Sequence, residues 1–193
     1  MALIRLAEID ELVGAPREVA ESGQAQYGQL LNTWRAIMNK PDMFGAYLPF
    51  LRQVAGPGAL DMKIKDLSAL YVGYLNHCRY TASHRSTSGL KNGVTAEQMV
   101  SAVAGDWASF DERTRIALEF TRELTLNPQD VTYADAPQAV SSVTLTSLKN
   151  EFSEVEILEL SMSVSVWNAL SRFHRVMGFD LDMPEAPEGV NPE

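Results

Sequence analysis

Asp66, Cys78, Tyr80 and His84, with Arg79, Thr81 and Arg85 interleaved, gather in one short stretch the side-chain types that a small acid–base or thiol site requires. A carboxyl group and an imidazole can move a proton on or off a carbon beside a carbonyl, and an arginine can hold a substrate carboxylate through paired hydrogen bonds. A cysteine at a helix start sits where the helix dipole favours a nucleophilic thiolate. Each residue also has a plain structural reading. Asp66 can serve as a helix-start carboxylate, Cys78 as a small buried apolar residue, Tyr80 as a core aromatic, and Arg79 and Arg85 as solvated charges. His84 alone, in the middle of a helix, reads more readily as structural than as functional. Asn168 and Arg172 read as helix braces or as the border of a pocket, and His77 and His174 receive no assignment.

Helices must position these residues, because apolar side chains recur at helical spacing and no run of alternating β-branched residues is bounded by hairpin signals. The fold class expected is therefore all-α. Leu30, Leu31, Trp34 and Ile37 predict a first helix over 27–38, stopped at Asn39-Lys40-Pro41. A second is predicted over 41–54, with Pro49 as a kink, followed by the turn Gly56-Pro57-Gly58. A third spans 62–75, and a fourth runs over 77–91 with Asn76 as its N-cap and Asn92-Gly93 as its stop, which places Cys78 in a first turn. Thr95 and Gln98 form a capping box for a short helix ended by Gly105, and 111–126 and 153–177 read as two more helices. The segment 136–149 has no clear pattern, and the proline-bearing acidic stretch 183–193 reads as a disordered tail after one domain over 1–182.

On an ideal helix, Thr81 lies about 60° and Arg85 about 20° round from Cys78, whereas His84 lies about 120° from Cys78 and about 60° from Thr81. His84 thus shares a cleft edge with Thr81 more readily than with the thiol.

Composition sets the outer bounds. The 193 residues are 46% hydrophobic, enough for one sizeable core. A net charge of −9 repels phosphate backbones and anionic lipid, which argues against nucleic-acid and membrane partners. Neither a signal peptide nor a membrane span is legible, so a cytoplasmic location is expected. With Cys78 as the single cysteine, no intramolecular disulfide can form, and with three histidines no metal site and no cofactor is called for.

The run from Asp66 through Asn76-His77-Cys78-Arg79-Tyr80-Thr81 to His84-Arg85, closed by Gly93-Val94-Thr95, resembles the core of the carboxymuconolactone decarboxylase and AhpD-like alkylhydroperoxidase family. In that family an acidic residue opens a helix, Asn-x-Cys-x-Tyr-Cys follows, and a histidine comes one turn later. Asp66, Asn76, Cys78, Tyr80 and the Gly93 turn fall into this register. The 30–50 region resembles the family's leading helices, and Asn168-Ala169 with Arg172 resembles its closing one. Two departures stand out. Without a gap, Thr81 replaces the second cysteine and Arg85 the histidine; with one residue removed after Tyr80, His84 becomes the family's histidine. One sulfur is missing either way.

The resemblance implies a helical bundle, a homo-oligomer (trimer or hexamer), and catalysis by Asp66, Cys78, Tyr80 and His84, with Arg79, Thr81 and Arg85 binding a small-molecule substrate. It implies acid–base chemistry of the decarboxylase, isomerase or lyase type. The alternatives are a peroxidase in which Cys78 is recycled by an external thiol, and a helical protein without catalysis. Trp34, Phe44 and Tyr47 are expected contributors to an assembly face.

Overall fold

The computed structural model describes residues 2–135 and 137–192. Nine α-helices run in chain order: α1 (Gly14–Tyr27), α2 (Asn32–Ile37), α3 (Pro41–Ala55), α4 (Met62–Leu75), α5 (Arg79–Lys91), α6 (Ala96–Ala104), α7 (Glu112–Asp130), α8 (Ser142–Glu151) and α9 (Glu154–Met177), and no strand occurs among the described residues. None of these helices is long and apolar enough to cross a membrane.

α4 is the axis of the bundle. Asp61 caps it by accepting the Lys63 amide at 2.7 Å, and every residue from Ile64 to Gly73 is buried. One side of α4 packs on α7, α8 and α9 through Val72, Ile116, Phe120, Leu148, Leu160 and Trp167. Its other side packs through Leu67, Leu70 and Tyr71 on Met99 of α6 and Leu118 of α7. Truncating a fully buried leucine such as Leu160 to alanine would cost about 2–5 kcal/mol, the transfer term plus the cavity left behind. α9 begins at a Ser153–Glu156 capping box and ends at Gly178, whose φ of 63° is the left-handed conformation glycine accepts readily.

Four expectations need correction. The helix expected over 27–38 is confined to α2, and α1 precedes it unforeseen. α1 carries few large apolar side chains and buries only Ala20 and Gly23, so its apolar signal is weak. Its end nonetheless covers Trp34, with Tyr27 edge-on at 5.3 Å, and Trp34 and Phe44 are buried inside the chain. Those two side chains therefore offer no free assembly face. At the other end of α4, Asn76 is a C-cap instead of an N-cap, because His77 turns to φ 52°, outside helical space. Cys78 itself becomes the N-cap of α5. Lastly, the stretch expected to be disordered from Met183 packs down: Ala186 and Val190 are buried beside α4 and α6. Two apolar residues among the prolines suffice to anchor it. Glu193 at its end, and Ala136 in the segment without clear pattern, lie outside the described residues; α8 accounts for the later part of that segment.

Two local devices shape the site. α5 lies so close to α4 that a Cβ on Gly73 would stand 2.9 Å from the Thr81 side chain, so glycine permits the tight hairpin. Between α3 and α4, the fully packed Lys65 pairs with Glu159 at 2.7 Å and donates to the Gly56 carbonyl at 2.9 Å. Glu159 in turn accepts the Ala59 and Leu60 amides at 2.9 and 3.1 Å, which pins the connecting loop to α9. Burial alone would raise the Glu159 pKa, but the Lys65 ammonium and these amides bring it down to about 2.

Candidate active site

A cavity of about 280 Å³ opens between α2, α3, α5 and α9. Trp34, Tyr47, Leu48, Leu51, Trp167 and Leu170 make its walls apolar and largely aromatic, and its polar lining includes His84, Arg85, Arg52 and His174. A second cavity of about 270 Å³ shares Gln26, Tyr27, His84, Arg85 and Ser88 with the first and adds Thr87, Lys91, Asn92 and Met183.

α5 carries His84 and Arg85 to this wall. His84 stacks on Tyr80, ring centroids 4.3 Å apart, and its Nε2 lies 2.5 Å from Asp182 Oδ1. Asp182 comes from the segment after α9, which Asn32 and Ser83 hold in place: the Asn32 amide donates to Asp182 Oδ2 at 2.6 Å, and Ser83 Oγ donates to the Pro184 carbonyl at 2.8 Å. Tyr80 Oη also donates to Asp182 Oδ2, at 2.6 Å, and accepts the Thr33 amide at 3.3 Å. Burial by itself would raise the Asp182 pKa, but hydrogen bonds from His84, Asn32 and Tyr80 outweigh it and hold the carboxyl below its usual value. Asp182 is therefore an acceptor, the proton of neutral His84 sits on Nε2, and Nδ1 keeps a free lone pair without a partner among the described residues. Burial lowers the His84 pKa, overriding the opposite pull of Asp182. Tyr80 is pushed far above the usual phenol range by burial first and then by the Asp182 charge, so it acts as a neutral donor.

Arg85 has its guanidinium over the Trp167 ring, 4.3 Å from the centroid, and pairs with Asp66 at 3.4 Å. Asp66 is buried behind it and accepts Asn92 Nδ2 at 2.6 Å. Burial lowers the Arg85 pKa against the pull of Asp66, yet a guanidinium stays charged. The buried Nε of Arg85 has no hydrogen-bond partner, and neither does that of Arg52 across the cavity.

The thiol corner is different. Cys78 is 2% exposed and lines neither cavity. Its Sγ accepts Thr81 Oγ1 at 3.3 Å and the Thr81 amide at 3.5 Å. Thr81 Oγ1 accepts Ser171 Oγ at 3.2 Å and meets His174 Nδ1 at 2.9 Å, while His174 Nε2 meets Thr33 Oγ1 at 2.9 Å. With the Thr81 proton given to sulfur, Nδ1 of His174 must be the donor and Nε2 the acceptor. Burial, followed by the nearby charge of His84, takes the His174 pKa down to about 3, so this imidazole is neutral with both nitrogens occupied.

Of the residues named from sequence, His84 and Arg85 reach the cavity. Asp66 and Tyr80 stand one step behind, supporting Arg85 and Asp182. Cys78 and Thr81 face α9. Arg79 is exposed and pairs with Glu185 at 2.7 Å, away from both cavities. Sequence reading missed Asp182, His174 and Arg52, whose partners are remote in the chain. The apolar Met183, Ala186 and Val190 were the available sign that the segment bearing Asp182 is packed.

Residues 41–123 match the model of the carboxymuconolactone decarboxylase family. No curated protein matches the sequence. Among solved structures, an alkylhydroperoxidase AhpD core, an uncharacterized peroxidase-related protein from Ralstonia eutropha JMP134, superposes with a TM-score of 0.77 at 13% identity, over 99% of this chain and 95% of that one. The debrominase Bmp8 superposes with a TM-score of 0.76 at 17% identity, over 98% of this chain and 96% of that one. A cysteine-to-alanine variant of Bmp8, in complex with 2,3,4-tribromopyrrole, gives 0.75 at 18% identity, over 98% and 96%. At these identities the likeness is one of fold.

Proposed function

We propose that this chain, whose residues 41–123 match the carboxymuconolactone decarboxylase family model, is an acid–base enzyme of the decarboxylase, isomerase or lyase type, acting on a small carboxylated or lactone substrate. One observation carries this reading: His84, its tautomer fixed by Asp182, stands on the cavity wall beside Arg85, whose Nε is unpaired. Neutral His84 takes a proton through Nδ1 from a carbon beside a carbonyl. The C–H bond breaks, an N–H bond forms, and the electron pair moves onto the carbonyl oxygen as an enolate. Asp182 stabilises the resulting imidazolium, and Arg85 holds the substrate carboxylate or the developing oxyanion. Return of the proton to another carbon completes an isomerisation. In a decarboxylation, CO₂ leaves its electron pair on carbon and a His84 protonated from solvent quenches it.

The test is turnover and solvent-deuterium incorporation, followed by proton NMR, across small unsaturated carboxylates and carboxylated lactones. His84→Gln should slow the reaction by about 10²–10⁴-fold, the usual contribution of a positioned acid–base group. An unaltered rate in that variant would sink the proposal.

A thiol reading has one observation in its favour: the hydrogen-bonded line Cys78–Thr81–His174 links the sulfur to a residue on the cavity wall. Peroxide reduction or, by analogy with the debrominase, removal of halogen would oxidise Cys78 and require an external thiol to reduce it. The burial of the thiol and its missing partner sulfur rank this second.

A further inference from the structure

We propose that the two cavities are compartments of one elongated site, and that the ligand it fits is an aryl-alkanoate: a planar ring among the aromatic walls, with a carboxylate on a flexible arm that passes His84 and ends between Arg85 and Lys91. This rests on the assignment of the cavity as the active site and extends it to a substrate class. The compartments share Gln26, Tyr27, His84, Arg85 and Ser88, so a molecule crossing from one to the other passes the His84 imidazole.

Their linings differ in kind. Trp34, Tyr47 and Trp167 give the first compartment flat faces on which a ring can stack. The second gathers Arg85 and Lys91 with the donors Asn92 and Gln26. That cluster is positive on a chain of net charge −9, and Asp66, the carboxylate behind it, is already occupied by Arg85 and Asn92. Lys91 forms no ion pair among the described residues, and Arg85 keeps a buried Nε unpaired. The unpaired Lys91 ammonium and the unpartnered Nε of Arg85, at the end of an apolar cleft, fit one terminal anion. An acid whose carboxylate sits directly on its ring stops short of Lys91; one with an arm reaches it and lays its arm carbons beside His84.

Trp34 and Trp167 line the first compartment, so intrinsic fluorescence reports binding in the unmodified protein. The probes are benzoate, 3-phenylpropionate and the neutral 3-phenylpropionamide. We expect 3-phenylpropionate to bind about tenfold more tightly than either of the others, the worth of a charge-assisted contact at a partly exposed site. Lys91→Ala should remove most of that advantage without altering the amide, and Lys91→Arg should restore it. Equal affinity for acid and amide, equal weakening of all three probes by Lys91→Ala, or no binding of any probe would overturn the proposal. Binding that persists in His84→Gln while turnover is unchanged would refute the acid–base role and leave the two-compartment site standing.

Discussion

Two corners of α5 hold the residues that sequence alone would assign to one active site, and they have opposite surroundings. At the helix start, Cys78 and Thr81 turn toward α9, where Ser171 and His174 close every hydrogen bond and leave the sulfur out of both cavities. One turn on, His84 and Arg85 face open space, and each retains a polar nitrogen with no partner among the described residues. Side-chain chemistry is comparable at the two corners; unspent hydrogen-bonding capacity is not. A saturated network rigidifies a core, whereas a group held on one side and free on the other is prepared to meet a ligand.

The largest effect that bears on this contrast comes from exchanging side chains at both corners in parallel. His84→Gln should cost about 10²–10⁴-fold in kcat/KM, and Cys78→Ser less than about threefold. Steady-state rates on the same substrate decide it, and the reverse pattern would move the site to the thiol. A gain of function gives a second, qualitative test. Thr81→Cys places a sulfur where an oxygen now lies 3.3 Å from Cys78 Sγ, and we expect mild oxidation to join the two, read as loss of both free thiols and of two mass units. Two thiols that stay free would mean that the helix start cannot supply disulfide geometry.

Asp182→Asn should lower the rate by about tenfold, since the carboxylate fixes the His84 tautomer and stabilises its charged form. Asp182 also raises the His84 pKa against the stronger effect of burial, so removing its charge should move the acid limb of the pH–rate profile to lower pH. An unmoved limb would separate Asp182 from the titration. The smallest effect belongs to the closed corner. His174 falls from an unfolded value of 6.5 to about 3 in the fold, so below 6.5 the unfolded chain takes up a proton that the folded one refuses. Stability is then fully present above 6.5 and declines by about 1.4 kcal/mol per pH unit as pH falls toward 3. Urea unfolding across that window measures the slope, and His174→Gln should flatten it.

The helices that frame both corners were legible wherever a side chain announces an end. Thr95 with Gln98, and the proline that opens α3, mark starts by local hydrogen-bonding and φ rules, and α4 follows from its apolar run. α1 escaped because a helix that buries little carries little periodic signal. The register at Cys78 slipped because His77 takes a left-handed φ that no side-chain rule anticipates. Within the site, His84 and Arg85 were found because they lie near the thiol in the chain. Asp182 meets His84 from 98 residues away and His174 meets Thr81 from 93, through contacts that only tertiary packing creates.

The clamp of Lys65 and Glu159 on the loop before α4 bears on how a ligand gets in. Gly56 and Pro57 on that loop line the cavity, while the amides of Ala59 and Leu60 point into the Glu159 carboxylate. Neither amide belongs to a helix, yet both should exchange their hydrogens with solvent more slowly than unbonded loop amides, because their hydrogen bonds to Glu159 must open first. A rim protected in this way is built before the ligand arrives. Association then costs no loop ordering, and its rate is set by diffusion to a ready-made mouth.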